Sequence, residues 1–175
     1  MWGRTLGDGM VALRLVRLIE NHSEELAEEI ARKIHTSART GDMRKIPLED
    51  VQERICEIFR HLSEWLLTKT GSEVERRYLE LGARRAAQGI SAADLAWAIV
   101  FTKEQLWEFL QRQGSIHTPV ELYGEMELLW LLNQFFDQAI CATIEGHEQE
   151  MREAVSSRVG AGRRPSRRSA AGAAH

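Results

Sequence analysis

The 175-residue chain is long enough to bury one core and too short for two ordinary domains, and its 43% hydrophobic and 28% charged residues are those of a folded globular protein. Only three prolines interrupt it, which leaves long stretches free to be helical and makes the class all-α. The formal net charge is −3, but residues 160–175 hold four arginines and no acid, leaving −7 for the rest, and an acidic body excludes a general nucleic-acid binder.

Residues 1–9 are expected to be a flexible N-terminus, followed by a helical domain over 10–159. A first amphipathic segment runs from Met10 to about Glu20. Arg14 and Arg17 interrupt its apolar run and no small-residue cleavage site follows, so it does not read as a signal peptide. After Asn21 a second helix places Leu26, Ile30 and Ile34 every four residues, and "TSARTGDMRK" then reads as a loop. Pro47 suits the first turn of a third helix, with Glu49 and Asp50 behind it. Its buried stripe is Leu48, Val51, Ile55, Phe59, Leu62 and Leu66, and Gly71 ends it. Ser72 with Glu75 reads as a capping box opening a fourth helix that runs to Gln88.

Gly89 suits the left-handed position that closes a helix, and Ser91 suits the next N-cap, with Asp94 three residues on. Ile90 and Leu95 are spaced as a hydrophobic staple. The fifth helix carries "LAWAIVF", apolar around its whole circumference, which predicts a central position. Thr118 at N-cap and Pro119 at N1 open a sixth helix through Val120, Leu129, Leu132, Phe136 and Ile140 to about Met151. Being longer than its neighbours, it must protrude or pair. Residues 160–175, rich in arginine, serine, alanine and glycine, are expected to be a disordered basic tail. No uncharged apolar run approaches the ~20 residues of a membrane span, and Cys56 and Cys141 read as buried thiols in a reducing compartment. Both point to the cytoplasm.

Motifs for chemistry are missing. A di-iron bundle needs a glutamate three residues before a histidine, and none of the six histidines has one. Glu57, His61 and Glu64 share a helix face, but it is the polar face of the third helix and reads as solvated charge. There is no G-x-S-x-G elbow and no glycine-rich phosphate loop after a strand. No catalytic residue, metal or cofactor is therefore assigned. Trp65, Trp97 and Trp130, at helical spacing among leucines, read as core or dimer contacts.

On a helical wheel Val74, Tyr78, Leu81 and Arg85 lie on one stripe, which carries Arg85 toward the apolar side. A snorkelling side chain or a buried ion pair accounts for such an arginine as well as a sensing role does. The stretch "YLELGARRAAQGISAADLAWAIVFTKEQLWEFL" resembles the G-x-x-R-A-x-x-G-hydrophobic segment of the RsbR/RsbRD-type N-terminal sensor domains. These are globin-like, non-haem helical domains of stressosome proteins and some sensor kinases. Looser similarity extends from about residue 11 to 150.

The same stretch is similar to haem-binding globin-coupled sensors, in which a histidine precedes the helix-ending glycine by four residues. Arg85 holds that position here, and a guanidinium that stays protonated is no ligand for haem iron. The resemblance thus implies a globin-like bundle of about six helices without haem, and a homodimer through the long last helix. It also implies a regulatory protein partner, a stressosome or kinase component. In the family the last helix leads into an output domain; after about Val159 only the tail follows here, so a free-standing sensor or adaptor is expected.

The expectation is a cytoplasmic, non-enzymatic sensory domain with neither nucleic acid nor membrane as partner. Its signal-sensing region is the helix break with Tyr78, Arg85, Gly89, Ser91 and Trp97, and its dimer helix carries Trp130, Phe136 and Ile140. The alternative is a globin-like sensor binding haem or a lipid between the fourth and fifth helices, with a histidine such as His61 as ligand.

Overall fold

The computed structural model describes residues 9–68, 70–113 and 119–161, and among them the chain forms helices and no strand. The expected all-α class is what the chain adopts. The expectations for the first eight residues, for Thr118 as a cap and for the tail beyond 161 lie outside the described residues.

Helix α1 (Gly9–Asn21) gives way at His22, whose Nδ1 sits 2.8 Å from the Leu18 carbonyl, to α2 (Ser23–Thr36). Leu26, Ile30 and Ile34 are buried on α2, as their spacing predicts. The stretch expected as a loop is instead wound into 3₁₀ turns over Ala38–Lys45, with a kink at Thr40. Thr40 donates its hydroxyl to the Ile34 carbonyl, Met43 is buried, and Arg44 Nε donates to the His35 carbonyl at 2.9 Å. Two anchors at irregular spacing leave no 3.6-residue period to read.

Helix α3 (Leu48–Arg60) starts after Pro47 rather than on it, and it stops at His61, ahead of a π turn over Glu64–Thr68. Leu62, Trp65 and Leu66 are buried beyond the stop, so the apolar stripe continues across a break that it does not register, while Leu48 is exposed. Helix α4 (Gly71–Ala87) is capped by Thr70 with Glu73, not by Ser72 with Glu75. The Glu73 carboxylate accepts from the Thr70 amide at 2.8 Å and the Thr70 hydroxyl accepts from the Glu73 amide at 3.4 Å. The sequence contains both overlapping boxes, and the helix starts in the register of the first.

In α5 (Ala92–Gln113) no residue of the "LAWAIVF" run is exposed, in keeping with a central helix. Pro119 is the first residue of α6 (Pro119–Ala161), whose 43 residues make a rod about 65 Å long, continuing ten residues past Met151. Helix α4 packs chiefly on α6, α3 on α2, and Phe59, Leu106, Leu128 and Leu132 are among the fully buried side chains. Cys56 is buried as expected, but Cys141 is exposed, because one step along α6 from the half-buried Ile140 turns it outward. No described helix is long and apolar enough to cross a membrane.

Candidate functional site

The break between α4 and α5 is built by local chemistry and then clamped from two sides. Gly89 takes φ 71°, a left-handed conformation that L side chains rarely adopt, and the Ile90 amide returns to the Arg85 carbonyl at 3.1 Å. Ser91 caps α5: its hydroxyl accepts from the Asp94 amide at 3.1 Å and donates to the Asp94 carboxylate. The 3₁₀ segment supplies the first clamp. Asp94 accepts from the Asp42 amide at 2.7 Å, Asp42 accepts from the Ser91 amide at 3.1 Å, and Lys45 donates to the Gly89 carbonyl. Lys45, 2.8 Å from Asp42, and the Ser91 amide together hold the Asp42 carboxyl below its ordinary value. Helix α6 supplies the second clamp through His147, whose Nε2 lies 2.8 Å from the Ile90 carbonyl.

Beside the break lies a cavity of about 90 Å³, walled by residues from α2 to α6. Most of its lining is aliphatic or aromatic, including Ile34, Val51, Ile55, Phe59, Leu95 and Phe136. Tyr78 and Arg85 line it; Gly89, Ser91 and Trp97 do not. The five residues expected at the sensing region therefore divide into a cavity pair and a hinge group. Trp97 is half-buried under the Arg39 guanidinium, 4.1 Å from its ring centre, and pairs with Phe101.

Two further lining residues, Arg54 and Thr143, were missed in the sequence. The signal for Arg54 was its place in Val51, Arg54, Ile55 and Ile58, which puts it on an apolar stripe at helical spacing. Its Nε is buried and has no hydrogen-bond partner. Desolvation by burial, then the neighbouring charges of Arg77 and Arg84, push its guanidinium below the usual range. Thr143 is 0% exposed and its hydroxyl is likewise without a partner. By contrast the Thr102 hydroxyl, in the same wall, donates to the Ala98 carbonyl at 2.8 Å.

Arg77 is held by Glu57 at 3.0 Å and stacks over Trp65, whereas Arg85 donates to Gln88 at 2.7 Å. Burial lowers the Arg85 pKa, Arg84 lowers it further, and Asp50 partly offsets both. Burial drives the Tyr78 phenol up to about 12, despite the nearby Arg54 and Arg77 that favour its ionised form.

Among the described residues no group of histidine, cysteine, aspartate or glutamate could hold a metal ion. His61, the candidate haem ligand, is exposed at the end of α3 and does not line the cavity. At about 90 Å³ the cavity is smaller than a porphyrin or a lipid chain, and His61 stands outside it.

On α6, Trp130 is 58% exposed, Ile140 is half-buried and Phe136 is 3% exposed in the protomer's own core. Six residues of helix carry Phe136 about 120° round from Trp130, off the exposed face and into the core. The outer face instead carries Tyr123, Met126, Met151 and Val155 along with Trp130, all exposed.

Residues 24–161 match the family described as the RsbT co-antagonist protein rsbRD N-terminal domain, and the chain belongs to that family. It is thereby a regulatory domain of the stress-signalling type, as the G-x-x-R-A-x-x-G stretch implied. No curated protein and no solved structure matches the chain at a significant level.

Proposed function

We propose that the chain is a cytoplasmic, non-enzymatic sensory domain that forms a homodimer through α6 and passes its state to a regulatory protein partner, a stressosome or kinase component. Neither nucleic acid nor a membrane is part of this reading. The observation that carries it is the uncovered face of α6. Tyr123, Met126, Trp130, Met151 and Val155 are exposed apolar residues, and at 100° per residue they fall within about 80° of one another along the rod. They form two exposed apolar patches on one side of the rod, Tyr123 to Trp130 and Met151 with Val155, parted by the exposed Asp137 and Glu148, and such patches on a folded domain are the mark of a protein contact.

The hinge is placed to influence that face. His147 ties α6 to the Ile90 carbonyl, so a ligand or partner that prefers one arrangement of the break biases α6 as well. Light scattering on the purified chain tests the dimer. The wild type is expected to run as a dimer at micromolar concentration, and Trp130→Glu with Val155→Glu as a helical monomer. A wild type that stays monomeric overturns the homodimer, and charge substitutions that leave a dimer intact move the interface away from this face.

A further inference from the structure

We propose that the cavity between α3 and α4 is a binding site for a small monocarboxylate whose apolar part has three or four carbons. Four observations converge on that ligand chemistry. The first is the pair of orphaned polar atoms. Arg54 Nε and Thr143 Oγ1 both belong to residues lining this one cavity, and both are buried without a hydrogen-bond partner. A guanidinium can only donate and a hydroxyl can donate, so the missing group is an acceptor.

The second is charge. Arg54 lies within electrostatic reach of Arg77 and Arg84, and Arg85 within reach of Arg84. The acids acting on this group are Glu57, which is engaged by Arg77, and Asp50 beside Arg85. Among the described residues Arg54 has no ion pair, while Arg77 pairs with Glu57. Four guanidiniums against two carboxylates favour an anion, and a carboxylate matches the planar guanidinium fork.

The third is the remaining wall, which apart from the Tyr78 phenol and the Thr102 hydroxyl, already bonded to the Ala98 carbonyl, is apolar and suits a polyhydroxylated or multiply charged molecule poorly. The fourth is size. An apolar cavity of roughly 150 Å³ takes benzene, so about 90 Å³ takes three or four carbons with the carboxylate directed at the arginines. Arg85, which the sequence places where a haem sensor would carry its histidine, becomes part of a cationic wall of this site rather than a mere absence of a ligand.

The site rests on the sensory reading only for what its occupancy would signal; occupancy itself is independent of it. The test is titration of the full chain with sodium butyrate, read by amide chemical shifts and by calorimetry, beside butyramide, acetate and inorganic phosphate. Butyrate is expected to saturate, with shifts confined to residues around Arg54, Tyr78, Arg85 and Thr143. Butyramide, lacking the charge, and acetate, lacking the tail, are each expected to bind at least tenfold more weakly. Arg54→Met is expected to weaken butyrate at least tenfold while keeping the fold by far-ultraviolet circular dichroism, and Thr143→Val several-fold.

Equal binding of butyrate and butyramide overturns the proposal, as does no saturable shift, which would leave the cavity to water. Shifts that phosphate reproduces and Arg54→Met does not alter reduce it to a general ionic effect. Loss of butyrate binding in a dimeric chain sinks the ligand and spares the signalling role. Butyrate binding to a chain that neither dimerises nor finds a protein partner does the reverse.

Discussion

Where α4 crosses α6, Gly82 and Gly146 bring the two backbones so close that a Cβ on either would overlap a carbonyl of the opposite helix, Thr143 for Gly82 and Leu79 for Gly146. On the side of α4 that faces α3, the same helix borders a cavity of about 90 Å³ lined by Arg54 and Thr143, each of which has a buried side-chain atom with no partner among the described residues. Helix α4 therefore has one face fixed by backbone contact and another with room beside it. Close packing transmits displacement, whereas an underfilled cavity absorbs it. If the proposed ligand fills the slack side and shifts α3 against α4, the glycine crossing is the contact through which α6 would follow.

The largest expected effect breaks the tight face. Gly82→Ala inserts a methyl where only backbone atoms could give way, and is expected to cost about 3 kcal/mol or more, even after the ~1 kcal/mol that alanine gains over glycine in a helix. Gly41→Ala, with nothing within 4 Å of the new carbon, is expected to stay within about 0.5 kcal/mol. Urea midpoints at unchanged slope measure both. Equal costs would mean that the crossing is not rigid and that the contrast between the two faces of α4 has no energetic basis.

The next effect comes from the cavity wall. The Tyr78 phenol is held at about 12 in the folded chain against 10.0 when free, so above pH 10 the unfolded chain loses a proton that the folded chain keeps. Stability is whole below pH 10 and falls as pH rises from 10 to 12, by about 2 to 3 kcal/mol. Tyr78→Phe is expected to flatten this limb of the stability profile. Groups other than Tyr78 are common to both chains, so the difference between the two profiles reports the phenol. A profile that is the same in wild type and Tyr78→Phe would show that solvent reaches the phenol and that the cavity wall is open.

Much of the helical framework was legible because capping and periodicity are local. The Gly89, Ile90, Ser91 and Asp94 break appears in the structure as the residue types dictate, and so do the start of α6 at Pro119 and the burial of Leu26, Ile30 and Ile34. Misreadings cluster where two local patterns compete or where the deciding contact is distant. Thr70 and Ser72 both offer a capping box, and nothing nearby selects between them. The 3₁₀ turns of Ala38–Lys45 are held by Asp94, fifty-two positions from the Asp42 amide that it accepts from. Phe136 fits the periodicity of α6 equally well facing inward or outward until α4 and α5 are in place. Arg54 and Thr143 went unread because an empty volume arises from what five helices fail to fill, and no single segment encodes it.

The smallest expected effect has the opposite sign and sharpens the contrast most. Methionine in place of Arg54 keeps the length of the stem against Val51 and Ile58, removes a buried donor that no acceptor satisfies, and relieves repulsion from Arg77 and Arg84. Arg54→Met is therefore expected to raise stability by about 1 kcal/mol in ligand-free buffer, measured by urea unfolding. Arg77→Met, which gives up the ion pair to Glu57 and the stacking on Trp65, is expected to lower it. Saturating butyrate should reverse the ranking of wild type and Arg54→Met. A ligand at a hundred times its dissociation constant stabilises the chain that binds it by about 2.7 kcal/mol, more than the orphaned arginine costs. A destabilised Arg54→Met in ligand-free buffer would mean that this arginine is satisfied by groups of the fold itself, and the α3 side of α4 would then be as fully specified as its glycine seam.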